Sequence, residues 1–383
     1  MNKQYFFLAL FVILIPIFGR LAFNHFDTSV FVVAGTKFAE EAKLPSSIKV
    51  YENKGYDGQL YFKTALDLFK NEHEDGKSYQ ISSYRKQRIL YPFISWIVAF
   101  GKPETLPTAM IVTNCICLIG IWFIFSCICK KFQINLFYSL IPLLYSGFHM
   151  SVGRDLAEPM EAFLILGLLF FITNKSSILF CIFATLAFFT KETTIVFILP
   201  ITILMLINKY HSKNLNWKFI ALLSSPYIIF FIWKFYLLYH LGEHYLIHGT
   251  SNLGFPFWGL LKGFYQYFND ISIKSMLAFS IALLHLIWLV WLISTVYPYI
   301  KKSFPDKSFT NYLEIAWVSW LVFSIFFSDK IFEDAWSFVR IFTSFCTISF
   351  FILFVNRHRL NKYFSLSTVF MFLLTTFRLW FFI

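Results

Sequence analysis

Apolar runs such as FFLALFVILIPIFG, residues 6–19, recur along the whole chain, separated by short charged breaks. Each run approaches the roughly 20 residues an α-helix needs to cross a hydrocarbon core, and none shows the ten-residue alternation of an outer-membrane barrel. That spacing predicts an all-α, polytopic transmembrane helical bundle. Composition agrees: 58% of residues are hydrophobic and 14% charged, against roughly 45–50% and 25% in soluble domains.

The blocks give eleven expected spans, with a range of about 10–12: 5–23, 106–129, 134–150, 159–173, 177–190, 193–208, 218–239, 274–299, 310–328, 335–355 and 363–382. The first is long for a signal-peptide core and has no convincing cleavage site, so it is expected to remain as an anchor. The chain thus reads as one integral membrane domain over residues 1–383. Its six cysteines all fall in apolar segments, where they act as small fillers.

The connections orient the bundle. With the N-terminus cytoplasmic, the inner loops carry Lys3, Lys130, Lys131, Lys175, Lys209, Lys213, Lys218, Lys301, Lys302, Lys307, Arg357, Arg359 and Lys362, and only Asp306 and Glu314 as acids. This is the positive-inside pattern, and it accounts for the net charge of +12 without nucleic acid. The expected location is the plasma (inner) membrane, in contact with the lipid bilayer.

Two outer connections are long: 24–105 and 240–273. In the first, Phe62, Ala65, Leu66 and Phe69 form a helical stripe, and RILYPFISWIVAF (88–100) is apolar but too short to span. Both are expected to be interfacial helices over the mouth of the bundle.

Within KGYDGQLY (54–61), Asp57 lies between Gly55 and Gly58. A helix N-cap is one account of it. The other is a general base, partly desolvated beside Tyr56 and Tyr61, with glycines admitting a substrate close to the backbone; Gln59 is a candidate contact in the same stretch. Arg85, Lys86 and Arg88 sit on the outer side against the charge bias, as lipid anchors or as a phosphate clamp. The tight turn GRDLAEP brings Arg154, Asp155 and Glu158, more charge than a cap requires, and TKET brings Lys191 and Glu192 to a membrane edge. Arg340 enters a span, with Glu333 and Asp334 as nearby partners; a structural ion pair and an anion site fit equally. His285 and Lys234 read as buried polar contacts or snorkelling groups. No Walker A, dinucleotide-binding glycine pattern, HExxH or GxSxG occurs, which argues against a nucleotide-driven pump and the familiar hydrolases.

Taken in order, YDGQ in a long first outer loop, YRKQRILYP, RDLAEP, TKET and EDAWSFVR resemble bacterial polytopic GT-C-type membrane glycosyltransferases of the cell-surface glycopolymer kind, over about residues 1–355. The resemblance implies a GT-C-like fold and inverting transfer of a hexosyl or pentosyl unit from a polyprenyl-phosphate-linked donor to a lipid, glycan or protein acceptor on the extracytoplasmic face. It assigns Asp57 as base and Arg85, Arg88, Lys191 and Arg340 to the carrier phosphate. Asp155 and Glu158 would shape a substrate pocket. The lone Asp57 departs from the paired acids commoner in such enzymes, so no cofactor is assigned and the need for a divalent metal is left open; Glu40 or Glu41 could hold the base role instead. A transporter or flippase of lipid-linked glycan, and a polysaccharide polymerase or ligase, are the alternatives.

Overall fold

The computed structural model describes residues 3–68, 81–174, 176–241, 252–267, 272–303, 310–358 and 360–381. Phe69, Lys175, Asp306, Lys307 and Arg359, and residues 242–251 and 268–271 of the second outer connection, lie outside them. The described chain is nearly all helical, with one pair of two-residue parallel strands, Ala34–Gly35 beside Val50–Tyr51.

Seven helices are long and apolar enough to cross a membrane: Lys3–Phe23, Pro103–Lys131, Glu192–His211, Trp217–His240, Ser275–Lys301, Ala335–Val355 and Lys362–Phe381. The protein is therefore a multi-pass helical membrane protein. Three further expected spans are helices, but shorter: Glu158–Thr173, Ser177–Thr190 and Thr310–Ser324.

The expected span 134–150 is not one α-helix. It forms a 3-10 segment, Leu136–Leu144, and then a short helix, Ser146–Val152. Pro142 lacks an N–H and Tyr145 is extended, which stops a continuous ladder. Irregular backbone survives at this depth only under protein cover, and every residue of Ser146–Val152 is buried. A second break, at Phe342, divides 335–355 into Ala335–Ile341 and Thr343–Val355. The Thr343 hydroxyl donates to the Arg340 carbonyl at 2.6 Å, satisfying an acceptor the break frees. Thr343–Phe354 is buried throughout and packs against Glu158–Thr173, Thr310–Ser324 and Ile273–Ser303, forming the centre of the bundle.

The first long connection also differs from expectation. The helix Asp57–Asp67 buries Gly58, Gln59, Tyr61, Phe62, Lys63, Thr64 and Ala65, so it is sunk in the bundle instead of lying on an outer surface. Gly58 makes this depth reachable, because a Cβ there would collide with the Arg154 carbonyl and crowd that of Val32. Gln59 fixes the approach: its Oε1 accepts from Gly35 N–H at 2.9 Å and its Nε2 donates to the Lys54 carbonyl at 3.1 Å. The second helix, Leu90–Val98, is one-sided as expected, with Tyr91, Pro92 and Ser95 buried and Phe93, Ile97 and the following Phe100 exposed.

The helix ends sort into two groups. Asn208 donates to Tyr312 at 2.8 Å, Lys131 reaches Thr173, and Tyr299 meets His358, joining connections assigned to the inner side. Glu158, at the other end of the helix ending at Thr173, joins the connections assigned to the outer side.

Candidate functional site

Asp57 is the first residue of its helix; Tyr56 holds the N-cap position without a side-chain cap bond. The N-cap account of Asp57 is therefore replaced by a salt-bridge account. Arg85 Nη1 lies 3.1 Å from Oδ1 and Arg340 Nη2 lies 3.0 Å from Oδ2, one guanidinium per carboxylate oxygen. Burial acts to raise the carboxyl pKa, but Arg85, Arg340 and Arg88 together outweigh it and hold the group well below the usual carboxylate range. The resting Asp57 is an ionised, weakly basic carboxylate.

Arg340 extends the network inward. Its Nη1 donates to Glu158 Oε1 at 2.7 Å, and that oxygen also receives Lys191 Nζ at 3.3 Å, while Lys191 contacts Glu161 Oε2 at 3.2 Å. The side chains of Glu158, Glu161 and Lys191 are 3–6% exposed, so each depends on its partners for charge compensation. Beside this chain, Arg88 forks onto Glu192 at 2.8 and 2.6 Å and donates to the Tyr84 hydroxyl at 3.0 Å. Four connections of the chain meet here: the first loop, the turn before Glu158, the Lys191–Glu192 turn, and the segment ending at Arg340.

The expected partners of Arg340 are corrected. Asp334 caps its own helix by accepting from Trp336 N–H at 3.1 Å, and takes the Tyr56 hydroxyl at 3.2 Å; Glu333 accepts from Gln266. Adjacent residues lost to residues far away in sequence because Asp334 is committed to the orphan amides of its helix N-terminus. Arg154 stacks on both Tyr56 and Trp336, 4.0 and 4.2 Å from the ring centroids, while Arg340 and Arg378 stack on those two rings at 5.1 and 4.9 Å. Three guanidinium groups are thus spaced by two aromatic rings.

A cavity of about 400 Å³ opens beside these groups, and its polar lining is Asp57, Tyr84, Arg85, Arg88, Lys191, Glu192, Thr193, Asn252, Lys330, Ser337 and Arg340. Its apolar lining is Ile195, Val196, Leu253, Trp320, Phe323, Phe327, Ile331 and Ile341. Of the residues singled out from sequence, Asp57, Arg85, Arg88, Lys191, Glu192 and Arg340 line this cavity. Tyr56 and Glu158 contact the lining residues Ser337 and Arg340, and Asp334 accepts from Tyr56. Gln59, Tyr61, Arg154 and Asp155 do not line the cavity. Asp155 is fully buried in a left-handed conformation, φ +48°, with no hydrogen-bond partner for either carboxylate oxygen among the described residues. Burial pushes its carboxyl well above the usual range, against the pull of Arg20. Glu40 and Glu41 are exposed and away from the cavity wall.

Sequence reasoning missed Glu161, Tyr84, Lys330, Trp336 and Arg378. Glu161 had a usable signal, an acid three residues after Glu158 inside an apolar helix, where such groups mark sites. Among the described residues, no group of three or more His, Cys, Asp or Glu is placed to hold a metal ion, and each carboxylate on the cavity wall already faces a cation. These residues do not fit a protein-built metal centre.

Compared with family models, with curated proteins and with solved structures, the chain matches none.

Proposed function

We propose that this protein is a membrane glycosyltransferase that moves a sugar from a polyprenyl-phosphate donor to an acceptor hydroxyl on the extracytoplasmic face. The observation carrying this reading is the mixed lining of the cavity, in which guanidinium and ammonium groups gather with the carboxylates of Asp57 and Glu192 and with Ile, Val, Leu, Phe and Trp side chains. An amphiphile with a phosphate at the junction of head and chain matches both the charged and the apolar lining, and a lipid-borne donor needs no nucleotide site. The GT-C resemblance noted in the sequence assigns the same residues.

In this reading, Arg85 and Arg340 hold the phosphate, and Arg88 and Lys191 add positive potential where negative charge grows during bond cleavage. Asp57 accepts the proton of the acceptor hydroxyl. The acceptor oxygen bonds to the anomeric carbon from the face opposite the phosphate, the anomeric C–O bond breaks, and its electron pair leaves on the polyprenyl phosphate. Inversion follows from this single displacement. The leaving group is already an acid anion, so a general acid is dispensable.

The excess of lysine and arginine at the other helix ends supports the outward placement of the cavity. The test is donor class. Purified protein in proteoliposomes is given synthetic polyprenyl-phosphate sugars or nucleotide sugars, with transfer and lipid translocation both measured. The reading predicts transfer from the lipid donors alone. Translocation without transfer would favour the flippase alternative, and use of a nucleotide sugar would overturn the donor assignment.

A further inference from the structure

We infer that Asp57 is the resident counter-ion of the phosphate site: in the empty protein its carboxylate occupies the two arginines that the donor phosphate takes, so donor binding is an exchange of anions. This rests on the reading of the cavity as a polyprenyl-phosphate site.

Of the carboxylates in the network, Asp57 is the one an incoming anion can displace. Glu158 and Glu161 are almost fully enclosed, at 3% side-chain exposure, and Glu192 is gripped by the fork of Arg88 at 17%. Asp57 is 22% exposed, and its partner Arg85, at 32%, is the most accessible cation of the network. The two arginines reach Asp57 through single contacts to different oxygens, at 3.1 and 3.0 Å. Such contacts can be given up one at a time, unlike a bidentate fork. Arg85, Arg340 and Asp57 all line the cavity, so a phosphate entering it meets both guanidinium groups without crossing the packed core. Lys330 lines the same cavity and, among the described residues, forms no ion pair.

The exchange has a chemical consequence. While both arginines face Asp57, its affinity for a proton is low. Once they turn to the phosphate, the carboxylate is left beside a new anion and its proton affinity rises. The base is thus armed by the donor, and little proton abstraction occurs before the sugar is in place.

The test is equilibrium binding of farnesyl phosphate to the purified full chain in detergent, read by tryptophan fluorescence, since Trp320 lines the cavity. Removing the competing charge predicts that Asp57→Asn binds about tenfold tighter or more, although a base has been lost. Arg85→Gln should bind more weakly than wild type. Should Asp57→Asn fail to fold, the charge-balanced pair Asp57→Asn with Arg85→Gln carries the test: exchange predicts affinity near that of wild type, whereas affinity as low as in Arg85→Gln alone overturns it. Wild type and Asp57→Asn binding equally, or Asp57→Asn binding more weakly, overturns the exchange while leaving the phosphate site standing. Absence of binding by every folded variant overturns both.

Discussion

Arg340 Nη2 lies 3.0 Å from Asp57 Oδ2, closing a sequence separation of 283 residues between the first long connection and a late helix. The same guanidinium holds Glu158 through its other nitrogen at 2.7 Å. One arginine thereby ties the Asp57 carboxylate to the start of a core helix.

The fork from Arg88 to Glu192 ties the first connection to the Lys191–Glu192 turn. Lysine has charge but no fork. Arg88→Lys is expected to lose roughly 1.5–3 kcal/mol of stability, read as a lowered unfolding temperature in detergent. In combination with Glu192→Gln, the loss should be far from additive. Additive losses would show that the pair is not coupled.

Asp155 gives a pH signature. Its folded-state pKa is raised by burial, so the folded protein keeps a proton that the unfolded chain has already released. Its contribution is fully present below about pH 4, the unfolded value, and is lost as pH rises through the folded value. Asp155→Asn keeps the shape without the titration. It should match wild type near pH 4 and unfold at a higher temperature near neutrality, and a stability difference that does not change with pH would contradict this.

Gly58 carries the close approach of the Asp57 helix to the Arg154 carbonyl. Gly58→Ala should cost about 1–3 kcal/mol and lower transfer more than Ala substitution at exposed Lys54, because Asp57 moves with its helix. Activity and unfolding temperature both unchanged would show that the backbone yields freely.

Sidedness has its own check. Cysteines introduced at Lys54 and Lys213, both exposed and at opposite ends of the bundle, should react differently with an impermeant maleimide in intact cells. Position 54 should label from outside and position 213 only after permeabilisation.

Much of this was legible in sequence because membrane sidedness groups residues without any knowledge of packing. Asp57, Arg85, Arg88, Glu158, Lys191, Glu192 and Arg340 lie on connections assigned to one side, and they meet. Pairing was less legible. Arg340 has Glu333 and Asp334 as sequence neighbours, yet its partners are Asp57 and Glu158, since proximity along a chain says little about which carboxylate is free. The stripe of Phe62, Ala65 and Leu66 marks a helix equally well on a surface or sunk in a bundle; the roles of Gly58 and Gln59 decide the depth and require the neighbouring turns. Pro142 was visible, but hydropathy alone treats 134–150 as any other apolar block. Glu161 was legible as an acid three residues after Glu158 inside an apolar helix, though its partner Lys191 was not.

The central claim is that Asp57 is the reacting carboxylate of this cavity. Single-turnover transfer from a synthetic polyprenyl-phosphate sugar, comparing wild type with an Asp57→Asn variant whose folding is verified by its unfolding temperature, tests it most directly. The account predicts a rate lower by about 10²–10⁴-fold with donor still bound; a folded Asp57→Asn protein that transfers at the wild-type rate would contradict it.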